Sequence, residues 1–496
     1  MFKWLQKKYE IDKELLQQVI SQNKKLQEKV DHLQSQVDRL QVEVKQKDRA
    51  LSELQKELLK DHSLSDEQLA VVDLLENTND NYFITGKAGT GKSTVLQFFV
   101  EHTSKKVVTL APTGVAANIV HGRTIHSFFS LGPFFQDVTN HAIVYNGINA
   151  DQKLIDELDT IIIDEASMLR ADVMDMIDHK LRIAKKSHAP YGGIQIVLFG
   201  DLFQLAPVIK GEEGALISKK YGTPYFFGAP SASNFTVCGL KKKVFRQSDP
   251  YFLSILNKIR VGTATQNDLD NLYNRCKNNF SDNGTEMFIV PTNKQVNAIN
   301  SEKMGLLNSK EYSYTAKCEG DASEEDSPAS SIITLKVGAS VMMLCNDPNK
   351  SFVNGTLAKV VELSHSMIKV SIRDVGIISV DKYTWPKYKY VYNEEEDRIE
   401  TIQTGSFTQY PIKPAYAITI HKSQGQTYDQ AVIDYSENGA FAPGQTYVAL
   451  SRCRSLAGVR LLAPLKIQDI KVSQEVMSFM SDRFVPVLDY IKKRLS

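Results

Sequence analysis

Residues 84–94 read ITGKAGTGKST. An apolar approach runs into Gly86, Gly89 and Gly91, and Lys92 and Ser93 follow. The spacing is that of a phosphate loop, G-x-x-x-x-G-K-[ST]. Glycines let backbone N–H groups face phosphate oxygens, and the helix that follows favours anions at its N-terminus. The cradle comprises Gly86, Lys87, Ala88, Gly89, Thr90, Gly91, Lys92, Ser93 and Thr94. Lys92 is placed to contact the β- and γ-phosphates of a nucleoside triphosphate, and Ser93 to ligate magnesium. The loop leaves open what hydrolysis would drive.

Composition narrows the setting. The 496 residues suggest about three domains. With 59 basic and 58 acidic residues the net charge is only +1, so nucleic-acid binding would need a local groove, not a globally basic surface. Cys238, Cys276, Cys318, Cys345 and Cys453 lie far apart, with no CxxC pair to suggest zinc or a disulfide framework. Neither a run of 18 apolar residues nor a signal-peptide pattern occurs. Acidic residues at Glu10, Asp12 and Glu14 disfavour a matrix-targeting signal. The expectation is a soluble intracellular protein without a membrane partner, in cytoplasm or nucleoid if bacterial and in the nucleus if eukaryotic.

Residues 1–60 contain no glycine or proline, and apolar residues recur at alternating spacings of four and three, from Leu26 and Val30 through Leu33, Val37, Leu40 and Val44 to Leu58. Counted back to Leu5, thirteen of sixteen core positions are apolar, the exceptions being Asp12, Asn23 and Lys47. A strict 3.5 period over this length predicts a coiled coil, because a helix lying on a globular body drifts toward 3.6. Valines at a, leucines at d and Asn23 at an a position favour a parallel homodimer, or pairing with a similar helix of a partner.

From residue 64 the pattern is globular. Apolar runs NYFIT, VVTLAPT, TIIIDE and IQIVLFGD alternate with helical stretches, as buried parallel strands of an α/β domain do. A second series begins near residue 286 with EMFIVPT, AYAITIH, QAVIDY, QTYVALSR and GVRLLAP. Between EMFIVPT and AYAITIH, an acidic Ser-rich loop and alternating runs such as KVSIRDVGIISV predict a small all-β insertion.

TIIIDE ends in Asp164 and Glu165, 72 residues after Lys92. Asp164 would hold magnesium through water, and Glu165 would activate the attacking water. Gln204 in GDLFQLAP is placed to report a γ-phosphate. Gln68 in LSDEQL has the donor and acceptor to read adenine, and also stands where a capping box with Ser65 would put it. Arg246 in VFRQ and Arg452 in VALSR could each stabilise charge on the transferring phosphate.

The set GKAGTGKS, APTGVAA, TIHSF, IIIDEASM, GDLFQLAPV, FRQ, HKSQGQT and YVALSR resembles the ordered motifs of superfamily 1 helicases, and PYGGIQIVLFGD resembles the signature of the Pif family within it. The resemblance covers about 64–465; LAPV stands where LPPV is common. It implies two RecA-like P-loop domains with ATP and magnesium between them, an SH3-like insertion in the second, and single-stranded DNA across the top. It also implies 5′-to-3′ translocation, unwinding of forked DNA, and G-quadruplex and RNA–DNA structures among its substrates, in genome maintenance. By motif position, Pro112, Thr113, Thr124, His126 and Phe128 would contact DNA from the first domain. Thr292, Asn293, His421 and Lys422 would do so from the second. Phe128 could stack a base, or could equally be core.

The expected organisation is a coiled coil over 1–60 and a first RecA-like domain over 64–248. A small excursion near 129–150, with Phe134 and Phe135, is a strand-separating wedge or a packed loop. The second RecA-like domain spans 249–310 and 413–465, the insertion 311–412, and a helical segment 466–496. Three other readings compete. A clamp-loader-like ATPase would replace the second strand series by a helical lid. An RNA helicase or RecD-like subunit differs in substrate. A non-catalytic scaffold would not need Lys92, Glu165, Gln204, Arg246 and Arg452 together.

Overall fold

The computed structural model describes residues 64–496, apart from 133–134, 140–143, 145–146, 210–212, 242–248, 280–285, 325–326, 348–350, 353, 374, 394–397, 438 and 496. In the N-terminal unit, 1–65, it describes besides Leu64 and Ser65 only Lys24, Lys29 and Gln34, which are helical and exposed. The heptad core positions therefore lie outside the described residues.

The unit from Asp66 onward holds two parallel sheets and an antiparallel insertion. The first sheet is built from β1 (Tyr82–Gly86), β2 (Val107–Ala111), β3 (Arg123–Thr124), β4 (Thr160–Ile163), β5 (Gln195–Gly200) and β6 (Thr236–Leu240). β1, β4 and β5 are buried along their whole length, as a sheet covered on both faces requires. The second sheet begins with β7 (Met287–Val290).

The chain then leaves for the insertion: β8 (Glu311–Thr315), β9 (Lys317–Gly320), β10 (Ile332–Lys336), β11 (Ser340–Met343), β12 (Leu357–Ser364), β13 (Met367–Ile372), β14 (Gly376–Val380), β15 (Tyr383–Asn393), β16 (Arg398–Gln409) and β17 (Ile412–Pro414). Its main sheet runs β14-β13-β12-β11-β17, all antiparallel. Alternate residues of β13 are buried, the period-2 pattern that KVSI displays in sequence. Val341, Val360, Ile368, Val370 and Ile412 fill a core separate from those of the two parallel sheets.

The chain returns as β18 (Ala417–Thr419), β19 (Ala431–Ile433) and β20 (Val459–Leu461), giving the parallel order β18-β7-β19-β20. QTYVAL, read above with the strands, is instead a helix, Gln445–Leu450, with all six residues buried. A short run that is buried along its whole length carries no periodicity to separate the two states. Gly444, in the left-handed region at φ 79°, starts this helix.

The 466–496 segment also differs from expectation. Helix Gln474–Arg483 is followed by β21 (Phe484–Pro486) and helix Val487–Leu495. β21 pairs in parallel with β6, so the first sheet has seven strands, β21-β6-β1-β5-β4-β2-β3. Val476 and Met480 enter the first core, and Phe479 stacks on Phe227 at 4.2 Å. The chain thus passes from the second sheet back to the first. The architecture is α/β with two RecA-like units.

The stretch after helix Ala171–Ala184 shows why PYGG has its composition. Tyr191 is buried with φ 53°, and its N–H donates to Asp178 at 2.6 Å. At Gly192, φ 69°, a Cβ would lie 2.7 Å from the Leu181 carbonyl oxygen. Only glycine lets this turn close on the helix.

Candidate active site

β1 delivers the phosphate loop to the carboxyl edge of the first sheet, where open α/β sheets bind ligands. Gly89 and Gly91 take φ 81° and 80°. Helix Lys92–His102 then starts, anchored by buried Val95, Leu96, Phe98 and Phe99. Lys92 Nζ donates to the Gly86 carbonyl at 2.7 Å and the Lys87 carbonyl at 3.2 Å. Burial lowers its pKa, opposed by Asp201, Glu165 and Asp164. Thr90 Oγ1 donates to the Lys87 carbonyl at 3.0 Å, and Gln68 Nε2 reaches the Gly91 carbonyl at 3.4 Å.

β4 leads directly into Asp164, which is buried and accepts the Glu165 N–H at 2.8 Å. Burial, then the charge of Glu165, pushes the Asp164 carboxyl up to about 7. Glu165 itself sits in the left-handed region at φ 51°, unusual for a residue with a Cβ. β5 delivers Asp201 and Gln204 to the same edge.

The second α/β unit closes directly on these groups. Gln424, in HKSQGQT, donates from Nε2 to Glu165 Oε2 at 2.9 Å and to Gln204 Oε1 at 3.3 Å. The Ala88 N–H donates to the Tyr447 hydroxyl at 3.0 Å, and that hydroxyl lies 3.5 Å from Asp201 Oδ2. Asp201, fully buried, takes a two-pronged contact from Arg260, Nη2 to Oδ1 at 2.6 Å and Nε to Oδ2 at 3.1 Å. Burial works against the Arg260 charge, and the Asp201 carboxylate together with Tyr447 more than offsets it. A Cβ at Gly444 would lie 2.2 Å from the Gln204 carbonyl oxygen, so the helix bearing Tyr447 can approach only through glycine.

A cavity of about 1600 Å³ joins these parts. Of the expected nucleotide residues it is lined by Ala88, Gly89, Gly91, Lys92, Ser93, Thr94, Asp164, Glu165, Gln204 and Arg452. Of the expected DNA-contacting residues it is lined by Thr113, Thr292, Asn293, His421 and Lys422. One continuous space therefore touches both sets. Lys422 is exposed, whereas burial lowers the pKa of His421.

Several expectations change. Phe128 is fully buried, edge-on to Phe129 at 5.0 Å, within the first core. A base-stacking role needs an exposed face, so Phe128 is a core residue. Thr124 accepts the Ser127 N–H at 3.2 Å and caps the short helix Ile125–Phe128. His126 is half-buried, with a pKa lowered by burial and then by Arg170. Pro112 is half-buried; it, Thr124 and His126 are not among the residues lining the cavity. In the 129–150 excursion, Leu131, Phe135 and Ile148 pack against the first core, and Phe134 lies outside the described residues.

Arg452 is fully buried. It donates to the carbonyls of Val448 (2.8 Å), Ser423 (3.2 Å) and Gln426 (3.1 Å), and to Ser451 Oγ (2.9 Å). In this structure it braces the HKSQGQT loop from behind. Arg246 lies outside the described residues.

Gln424, Tyr447, Asp201 and Arg260 were not singled out from sequence. Gln424 and Tyr447 stand inside quoted motifs, but nothing local encodes that they reach across to the phosphate loop and Glu165. Arg260 is 59 residues from Asp201, and only the fold joins them.

Comparison with known proteins agrees with this geometry. The family model for PIF1-like helicases matches residues 63–225. The ATP-dependent DNA helicase Pif1 of Bdellovibrio bacteriovorus is 32% identical over 411 residues, covering 80% of this chain and 88% of that protein. The crystal structure of Bacteroides sp. Pif1 with ADP-AlF4 superposes with a TM-score of 0.77 at 36% identity, over 85% of this chain and 97% of that one. Structures of Bacteroides Pif1 bound to single-stranded DNA, and of two coordinating Pif1 helicases unwinding forked duplex DNA, each match with a TM-score of 0.62 at 35% identity and the same coverage. The chain belongs to the PIF1-like family of ATP-dependent DNA helicases.

Proposed function

We propose that this chain translocates 5′ to 3′ on single-stranded DNA and opens forked duplexes, with G-quadruplex and RNA–DNA structures as further substrates in genome maintenance. The observation that carries the reading is the bond from Gln424 to Glu165. Gln424 stands three residues from His421 and two from Lys422, on the loop assigned to the DNA. Movement of that loop with a DNA strand repositions a donor on the group assigned to activate water, and on Gln204, assigned to the γ-phosphate.

In this scheme backbone amides of Gly89 to Thr94 and the Lys92 ammonium hold the phosphates. Lys92 exchanges its two carbonyl partners for phosphate oxygens. Glu165 accepts a proton from the attacking water. Gln68 reads adenine, and Arg246 and Arg452 respond to charge on the transferring phosphate. Magnesium fits the donor set: the Ser93 hydroxyl and the Asp164 carboxylate are hard oxygen ligands that both line the cavity, and this ion typically takes one or two carboxylates, waters and phosphate oxygens. When bound it would neutralise charge developing on the phosphates. Thr113, Thr292, Asn293, His421 and Lys422 hold the strand by its backbone, without reading sequence.

The direction is tested with two partial duplexes that differ only in which strand carries the single-stranded tail. Opening of the 5′-tailed substrate alone is the expected result. A preference for the 3′ tail would contradict the assignment.

Residues 1–60, for their part, would form a parallel two-stranded coiled coil and tether two motors or raise their local concentration. Sedimentation should give a dimer for the full chain and a monomer for a chain beginning at Leu64. A full-length monomer at micromolar concentration would refute the homodimer. Among the described residues no helix is long and apolar enough to cross a membrane.

A further inference from the structure

With Phe128 withdrawn into the core, the cavity has, among the described residues, one large aromatic ring on its lining with a wide open face: Phe441, 54% exposed. Its exposure is held in place. The Phe441 and Ala442 N–H groups donate to Gln445 Oε1 at 2.9 and 3.1 Å, and Gln445 is fully buried. The Ala440 N–H is fixed by Asp469 Oδ1 at 3.1 Å. His421 lies alongside, ring centroids 6.3 Å apart and planes 21° from parallel. Burial lowers the His421 pKa, which favours the neutral ring.

Closure of the two α/β units does not account for this exposed ring. The units already touch at Tyr447, Gln424 and Gly444, the last only three residues away, and Phe441 remains more than half exposed. Across the cavity, Ile119 and Val208 are each 47% exposed and add apolar surface, while Lys422 and Thr292 supply cationic and polar groups. The cavity exceeds the roughly 300–1000 Å³ of a typical small-ligand pocket, leaving room beside a nucleotide. An open aromatic face flanked by apolar contacts, a cation and small polar groups suits one ligand class, the bases of single-stranded nucleic acid.

We infer that Phe441, flanked by His421, is a stacking platform for a base of the translocated strand. The inference rests on the helicase reading and deepens it. Such stacking is sequence-tolerant, because every base has a π-face.

The test measures binding of the full chain to a fluorescent oligo-dT and to an oligonucleotide of equal length with abasic sites at its central positions. Wild type should bind the abasic strand about 10-fold more weakly than oligo-dT. Phe441→Ala should bind oligo-dT about as weakly as wild type binds the abasic strand, and should show little further loss on the abasic strand itself. Phe441→Tyr, which keeps a ring, should retain the wild-type preference. Equal affinity of wild type and Phe441→Ala for oligo-dT would overturn the platform. So would an equal loss by Phe441→Ala on both strands, which would mark a loop-packing or closure role. Failure of wild type to bind either strand would instead reject the helicase reading itself.

Discussion

Lys92→Ala is expected to bring ATP turnover below detection, and Glu165→Gln to lower it by about 10²–10⁴-fold while leaving ATP binding intact. The two losses have different causes. Lys92 is the loop's own cation, now held at 2.7 Å by the Gly86 carbonyl. Its removal takes away the ammonium that the loop itself holds against the phosphates, a preorganised charge that water does not replace. Glu165→Gln keeps the shape and the capacity to accept from Gln424 but not the basicity. Steady-state turnover together with fluorescent-nucleotide binding separates the two variants. Wild-type turnover in Glu165→Gln would remove Glu165 from the role of base.

The second large effect concerns Arg452. From sequence, alanine here should leave the fold intact and cut DNA-stimulated turnover. The structure alters that expectation, because this guanidinium donates to three backbone carbonyls and a serine while fully buried. Hydrogen bonds from charged donors to buried carbonyls are expensive to lose. Arg452→Ala should therefore destabilise the protein by on the order of 3 kcal/mol, and it should lower the thermal midpoint by roughly 3–6 °C. Turnover should fall as well, because the braced loop carries Gln424. Calorimetry alongside turnover checks both. An unchanged midpoint with lost turnover would mean that the bracing contributes little and that Arg452 acts on the phosphate alone.

Much of the first unit was legible in sequence because its signals are local. Tyr82–Gly86, Thr160–Ile163 and Gln195–Gly200 are mostly apolar runs that lead into the residues they deliver, so strand, edge and site are written together. The insertion was legible for the same reason, through period-2 alternation. What escaped depends on contacts distant in sequence. β21 pairs with β6 across more than 240 residues, and its three-residue stretch FVP carries no strand pattern of its own. QTYVAL is short and buried on every side, so strand and helix read alike. Phe128 and Phe441 show the same ambiguity in side-chain chemistry: an aromatic residue beside a motif serves core or ligand equally well, and only burial, 0% against 54%, tells which. The Ala88–Tyr447 contact joins residues 359 apart.

The central claim is that the loop carrying His421 and Lys422 communicates with Glu165 and Gln204 through Gln424. It is tested most directly by the wild-type ATP hydrolysis rate at saturating ATP, with and without a long single-stranded oligo-dT. Turnover at least about 10-fold faster with the DNA is expected, which corresponds to about 1.4 kcal/mol or more off the barrier. Equal rates with and without DNA, under conditions where binding of the strand is demonstrated, would contradict it.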